Sequence, residues 1–529
     1  MATTTVHENL KWDTLHKNGA IDLKKLLTTR LDGRMQLPDE VDRYNDATVE
    51  IQRLLQEALD ANEGFRAYGS RWSMSSIAQQ KDNLHQNNLM NLDLNILDHD
   101  LHADTDYDYK NVYFFECGNT IKEISQELEK NGKSLKTSGA SNGQTIAGCI
   151  ATGVHGSAWD VGAIQDYVVG LHLITGPNPD DSIYIERASK PALNDAFAEK
   201  INAGVIRDDA MFQAAVVGLG SFGFIHGVAI EAEDLYLLNR YVRKIDKNLA
   251  IKLSETMDFK NSTFKIEGEI DADGNPLEPY HYKVFINPYV NDDKYVVEAM
   301  YKKPFRTDYP NPYSKIKGSM YRDLIYTLIK ISEKFPKRIP WFIKRLEKQI
   351  LPAVGTKEDT VGTLYETFWD APYQGPAFAC SFGVANTDAG RTLNILSDVT
   401  KKEGPIPGIF AMRFVKGTEA TLGFTKFPIT CVIEIDGVLW KKSRRLISLK
   451  DYSTKMIQAL QQENIPFTLH WGKNADWEYE NLNNHMFGSD TVNQWKEQRY
   501  KLLSPAMAEA FTNKFLRECH LDGLPKPIV

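Results

Sequence analysis

The sequence predicts an α+β protein of two domains, the second organised around an antiparallel sheet with helices on one face. Three observations carry this reading. The chain has 529 residues, too many for one hydrophobic core. Residues from about 40 to 232 alternate helix-like and strand-like patterns and contain three glycine-rich segments. From about 233 to 460 the texture changes to aromatic, alternating stretches: Ser262–Ile270, Tyr280–Ile286, Tyr295–Tyr301 and Pro376–Phe382, each read as a strand. The expected division is therefore 1–232, 233–461, and a C-terminal segment, 462–529.

Within the first domain, Val49, Ile51, Leu54, Leu55 and Leu59 recur at helical spacing and predict a helix over 47–62. A short strand and a Gly-Ser turn should follow in Phe65-Arg-Ala-Tyr68-Gly69-Ser70-Arg71-Trp72-Ser73-Met-Ser75. The second segment runs from Thr137 to Ser157. It sets five glycines among hydroxyl residues with one histidine and no acidic side chain. Glycines permit positive φ and close backbone approach, and hydroxyls and freed N–H groups can donate to an anionic, planar ligand.

Two familiar motifs match here by letter but not by context. Gly139-Ala140-Ser141-Asn-Gly143 fits a nucleophile elbow, which needs a strand before the serine and a helix after it, yet two more glycines fall inside the first turns of any following helix. Gly218-Leu-Gly220-Ser-Phe-Gly223 fits a dinucleotide-binding turn, which must open a helix. After Gly223, Ile225, Val228 and Ile230 alternate with Glu231 and Glu233 nearby, a strand pattern. Hydrolase and NAD readings are set aside on these grounds.

Together the three segments resemble the vanillyl-alcohol oxidase and p-cresol methylhydroxylase superfamily of FAD-dependent oxidoreductases. The closing Ala151-Thr152-Gly153-Val-His155-Gly156-Ser is most similar to the aldonolactone and alditol oxidase branch. The resemblance implies a p-cresol methylhydroxylase-type FAD-binding fold with an antiparallel-sheet substrate domain. It implies cofactor contacts from Tyr68, Gly69, Ser70, Arg71, Trp72 and Ser73, and from Thr137, Ser138, Gly139, Ala140, Ser141, Thr145, Gly148, Cys149, Ala151, Thr152, Gly153, His155 and Gly156. Gly220, Gly223 and Ile225 complete the set. Trp72 stands where this branch carries the histidine that bonds to the flavin. Indole has no basic ring nitrogen for that bond, so FAD is expected to be held noncovalently, with His155 a hydrogen-bonded structural imidazole.

Phe467-Thr-Leu-His470-Trp-Gly-Lys473 is similar to the branch's His-Trp-x-Lys motif, and Gly408-Ile-Phe-Ala-Met-Arg413 to its Glu-x-Arg strand. The resemblance makes Lys473, Arg413 and His470 the catalytic candidates. The cations would stabilise negative charge as an alcohol C–H passes hydride to flavin N5. Ala411 stands at the glutamate position. Glu434 and Asp436 could replace the missing acid but read more simply as an exposed, salt-bridged pair. Cys149 reads as inert filler. A sugar-derived, polyol or lactone-like alcohol is the expected substrate. A bulkier apolar alcohol and a flavin-binding protein without turnover are the alternatives, and oxygen or another acceptor would take the electrons.

A net charge of −8 gives no nucleic-acid footprint. Five cysteines, odd in number and with no C-x-x-C, argue against structural zinc or a disulfide framework, and no metal is expected. The N-terminus lacks a charged n-region with an apolar core, and no 18-residue apolar run exists, so a cytoplasmic location is expected. The stretch from Met320 to Leu351 is apolar at Leu324, Leu328, Ile331 and Phe335, and basic elsewhere, broken by Pro336 and Pro340. Membrane contact is conceivable for it, but a helix pair with a solvated lysine face is the expectation.

Overall fold

The computed structural model describes residues 2–31, 39–310, 334–345, 347–368, 375–443 and 446–525. The chain opens on a four-stranded sheet in the order Thr3–Trp12, Ile21–Arg30, Asn83–Gln86, Phe65–Tyr68, the first pair antiparallel and the others parallel. Its crossover helix spans Glu40–Asp60, starting earlier than hydrophobic spacing alone indicates, because the Asp39 carboxylate caps it by accepting from the Val41 and Asp42 N–H groups. The buried stripe is Tyr44, Ala47, Ile51, Leu54, Leu55 and Ala58. Val49, expected on that stripe, faces solvent.

A six-stranded sheet follows in the order Gly204–Arg207, Ser182–Glu186, Val168–Ile174, Phe224–Glu231, Val112–Glu116, Asp93–Leu94. The turn at 218–223 lies between helix Asp209–Val216 and strand Phe224–Glu231, the reverse of a dinucleotide-binding turn. Gly223 takes φ +113°, and a Cβ there would stand 2.8 Å from the Ile174 carbonyl oxygen. A helix, Ile146–Thr152, does follow Ser141, but the preceding strand, Lys133–Ser134, ends well before that serine and does not lead into it, so the nucleophile elbow is absent.

The remaining strands form one antiparallel sheet of eight, in the order Thr360–Gly362, Tyr236–Asp246, Lys294–Pro304, His281–Ile286, Gly408–Lys416, Ile429–Val438, Ala377–Ala385, Thr468–Leu469. Helices Lys247–Thr256 and Ala389–Glu403 pack against it and each other, and Leu449–Gln462 packs on Ala389–Glu403. Of the expected strands, Ser262–Ile270 is a correction. The Asp258 carboxylate accepts from the backbone and side chain of Asn261 and closes the chain into turns, leaving only an isolated bridge from Ile270 to Pro276.

Of the basic stretch, residues 320–333 lie outside the described residues. Beyond them come a short 3₁₀ turn, Pro336–Arg338, and helices Ile339–Arg345 and Glu347–Ile350. Among the described residues no helix is long and apolar enough to cross a membrane, and no cluster of side chains could hold a metal ion. All five cysteines are buried and unpaired.

Candidate active site

A cavity of about 490 Å³ opens between the glycine-rich loops and the eight-stranded sheet. Its wall includes Tyr68, Gly69, Ser70, Arg71, Trp72 and Ser73 from the first loop, and Gly139, Ala140, Ser141, Thr145, Gly148, Cys149, Ala151, Thr152 and His155 from the second. Gly220, Arg413, His470 and Lys473 complete the expected set found there. Thr137, Ser138, Gly153, Gly156, Gly223 and Ile225 stand behind the wall. They act on the loop's shape: a Cβ on Gly156 would meet Thr137 Oγ1 at 2.3 Å, and Gly153 ends the helix Ile146–Thr152 at φ +73°. Sequence motifs do not reveal Trp12, His16, Arg66, Ile343, Phe378 and Val438, all on the wall. Arg66, Phe378 and Ile343 fall in segments that read only as strand or helix, and only the fold gathers all six at the cavity.

The two loops are fitted closely. A Cβ on Gly69 would lie 1.9 Å from Thr145 Oγ1 and one on Gly139 2.9 Å from Val154. Arg71 takes φ +61° while its carbonyl accepts from Leu15 N–H. The first loop is also bound to the C-terminal segment. Ser75 Oγ donates to the Trp471 carbonyl at 2.6 Å, Met74 N–H to that of Gly472 at 2.8 Å, and the Asn474 amide to Met74. Beneath them the buried Arg66 guanidinium donates to the carbonyls of Ile77, Leu219, Gly220 and Phe511, with no carboxylate partner among the described residues. Burial, and then Arg499, lower its pKa to about 9.

The sheet contributes the charged floor. Cross-strand partners share a face, so Ala411 lies directly beside Glu434, and Ile409 beside Asp436. The next strand adds Ser381 opposite Glu434. Arg413 Nε stands 3.0 Å from Glu434 Oε2, and Ser381 Oγ donates to Glu434 Oε1 at 3.4 Å. The expectation that Glu434 and Asp436 form an exposed pair is therefore corrected: Glu434 is 1% exposed and bound to Arg413, and Asp436 faces the cavity. The carboxylate missing at position 411 is present one strand over.

The two acids are held apart in pKa. Burial opposes ionisation of Glu434, but Arg413 first, then Lys473, bring it down to about 2. Asp436 is pushed up to about 6 by burial and by Glu434, against Lys473 and Arg413. Both site histidines are neutral. Burial takes His155 down to about 4, and burial followed by His155 and Lys473 takes His470 well below its ordinary value.

Their hydrogen bonds fix the tautomers. His470 Nδ1 accepts from Gly472 N–H at 3.0 Å, so its proton is on Nε2. His155 Nδ1 donates to the Gly156 carbonyl at 2.9 Å, leaving Nε2 without a proton. The Phe424 ring packs against both. Trp72 meets His16 edge-on at 5.3 Å, so the indole at the histidine position fills the wall. Cys149 is buried, and burial raises its thiol, consistent with inert filler.

The arrangement suits FAD. The glycine cradle lets backbone approach a flat ligand, and two buried acceptor-capable groups on the wall, Thr145 Oγ1 and Gln144 Oε1, lack any hydrogen-bond partner among the described residues.

Comparison with known proteins agrees. Residues 46–178 match the FAD binding domain model. L-gulonolactone oxidase 3 of Arabidopsis thaliana is 30% identical over 123 residues, 23% of this chain and 19% of that protein. A long-chain alcohol oxidase from an uncultured marine euryarchaeote is 32% identical over 120 residues, 23% of this chain and 21% of that one. The chain thus aligns with only about a fifth of these relatives' length. In fold, the crystal structure of cholesterol oxidase from Brevibacterium sterolicum superposes with a TM-score of 0.66 at 14% identity, over 98% of this chain and 97% of that one. A solvent-stable cholesterol oxidase gives 0.63 at 12% identity, over 96% of this chain and 98% of that one.

Proposed function

We propose that this chain, an FAD-dependent oxidoreductase with a p-cresol methylhydroxylase-type fold, oxidises the CH–OH group of an alcohol whose body is apolar. One observation carries the reading: Arg413, Glu434, Asp436, Lys473 and His470 line a cavity whose wall beyond the glycine-rich loops also includes Ile343, Phe378, Pro407, Ile409 and Val438. Bound FAD would supply the two-electron acceptor, cradled by Gly69, Gly139, Gly148 and Gly220 with Thr145 and Gln144 offering polar contacts. Arg413 and Lys473 would hold negative charge as it grows on the substrate oxygen, a task preorganised cations do best in an enclosed site. His470 Nε2–H donates to the same oxygen. Glu434, fixed on Arg413, keeps the guanidinium aimed and stays ionised. Asp436, poised near neutrality, accepts the hydroxyl proton.

Sequence motifs rank a sugar-derived polyol or lactone first. The apolar wall favours the reverse order. A polyol brings a hydroxyl on nearly every carbon, and each one buried against Phe378, Ile409 and Val438 without a partner costs about 1–3 kcal/mol. The polyol reading keeps support from the His-Trp-x-Lys motif and from the lactone oxidases named above. The electron acceptor, oxygen or another, belongs to the same proposal.

The test is anaerobic bleaching of the flavin band by a panel of long-chain, sterol-like, alditol and aldonolactone alcohols. Lys473 has no ion pair among the described residues, so Lys473→Met strands no paired carboxylate, although it also withdraws a positive charge that favours ionised Glu434 and Asp436. It should keep its flavin and be reduced at least about a hundredfold more slowly, corresponding to ~2.7 kcal/mol. Unchanged reduction at full flavin content removes Lys473 from the chemistry, and bleaching by alditols alone overturns the apolar reading.

A further inference from the structure

The segment that supplies Ile343 to the cavity has a second face. Ile339 and Ile343 are each 2% exposed and pack inward, whereas Phe335 and Trp341 are 52% and 59% exposed. Around these two aromatic side chains stand Lys334, Lys337, Arg338, Lys344, Arg345 and Lys348, all exposed. Between residues 334 and 348 the one acid is Glu347, and its carboxylate takes a hydrogen bond from Asn287 at 3.2 Å. Arg338 lies over the Phe335 ring at 5.2 Å. The patch therefore carries concentrated positive charge on a chain whose net charge is −8.

Six cations around two outward-facing aromatic side chains match one kind of partner. A purely aqueous role leaves Trp341 and Phe335 wet without return, and a nucleic acid backbone would use the cations but not the apolar side chains. An anionic bilayer uses both: lysine and arginine meet the lipid headgroups while tryptophan and phenylalanine enter the boundary with the acyl chains. We infer that the surface built on residues 334–345 with Lys348 docks this protein onto an anionic lipid membrane, with the helix Ile339–Arg345 between the bilayer and the cavity. Docking rests on this patch alone. That the bilayer also delivers substrate rests on the apolar-alcohol reading.

The test uses the full chain loaded with FAD and vesicles of phosphatidylcholine with or without phosphatidylglycerol. Flotation should recover protein with the mixed vesicles, less of it as salt rises, and little with phosphatidylcholine alone. Three charge reversals, Lys337→Glu, Arg338→Glu and Lys344→Glu together, should weaken binding about a hundredfold, since each basic residue near such a surface contributes roughly fivefold. Trp341→Ala should weaken it about tenfold and Trp341→Phe much less, an apolar contribution that a polyanion would not read. All these side chains are exposed, and unchanged flavin absorbance confirms folding. Wild-type vesicle binding by both Trp341→Ala and the triple variant overturns the inference. So does tight binding to RNA that the charge reversals abolish and Trp341→Ala leaves intact.

Discussion

The division of labour between Glu434 and Asp436 is set by burial, which opposes both charges, and then by the Arg413 guanidinium on one and the Glu434 charge on the other. Glu434, depressed to about 2, is ionised throughout the physiological range; Asp436, raised to about 6, changes state within it. If ionised Asp436 takes the hydroxyl proton, flavin reduction should rise with pH through about 6 and level off above it. Asp436→Asn should flatten that limb and slow reduction by about a hundredfold or more, the lower end of what one general base contributes. A wild-type limb surviving in Asp436→Asn would assign the proton elsewhere. Arg413 calls for a different experiment, because Arg413→Met strands a buried carboxylate and should cost about 3–5 kcal/mol of stability. The pair Arg413→Met with Glu434→Gln should recover most of that in thermal unfolding while reduction stays slow. Sequence motifs make Arg413, His470 and Lys473 legible. Glu434 and Asp436 stand out in the sequence but read as exposed, since side-chain alternation along one strand does not say which face the rest of the sheet covers.

Glycine-rich loops are legible in an amino-acid sequence in a way that strand pairing is not. Gly69 and Thr145 lie 76 positions apart, yet each loop advertises itself through local composition, and the fold needs only to bring them together. A Cβ on Gly69 would collide with the Thr145 side chain at 1.9 Å, on the cavity wall itself. Gly69→Val should therefore abolish flavin retention. Gly153→Val and Gly223→Val act at strained backbone behind the wall and should lower thermal stability at least as much as flavin content. Full flavin in a folded Gly69→Val protein would reduce that glycine to an ordinary turn. The relocated acid, by contrast, depends on the register that sets Ala411 beside Glu434, and register is a property of two strands and the turns beyond them. Ser262–Ile270 departs from its strand pattern for a local reason: the alternation is real, but Asp258 and Asn261 divert the backbone into turns first.

At the scale of the molecule the cofactor site is a junction. Arg66 joins the strand Phe65–Tyr68 to Ile77, to the turn at Leu219 and Gly220, and to Phe511 near the C-terminus, while Ser75 and Met74 clasp the His-Trp-Gly-Lys segment. A ligand held only by the native junction must stabilise the whole fold. At free FAD a hundredfold above Kd the gain is about 2.7 kcal/mol. With Trp72 at the usual attachment position, FAD should leave the protein on acid precipitation, and the stripped protein should unfold at lower temperature, recovering as FAD is added back. Yellow colour persisting in the denatured pellet would make the bond covalent. His155 would then be the residue to examine, because Nδ1–H is committed to the Gly156 carbonyl and Nε2 keeps its lone pair. His155→Ala releasing that colour would locate the bond, whereas colourless pellets from the wild type, with a melting temperature that follows FAD concentration, establish a cofactor retained by the fold alone.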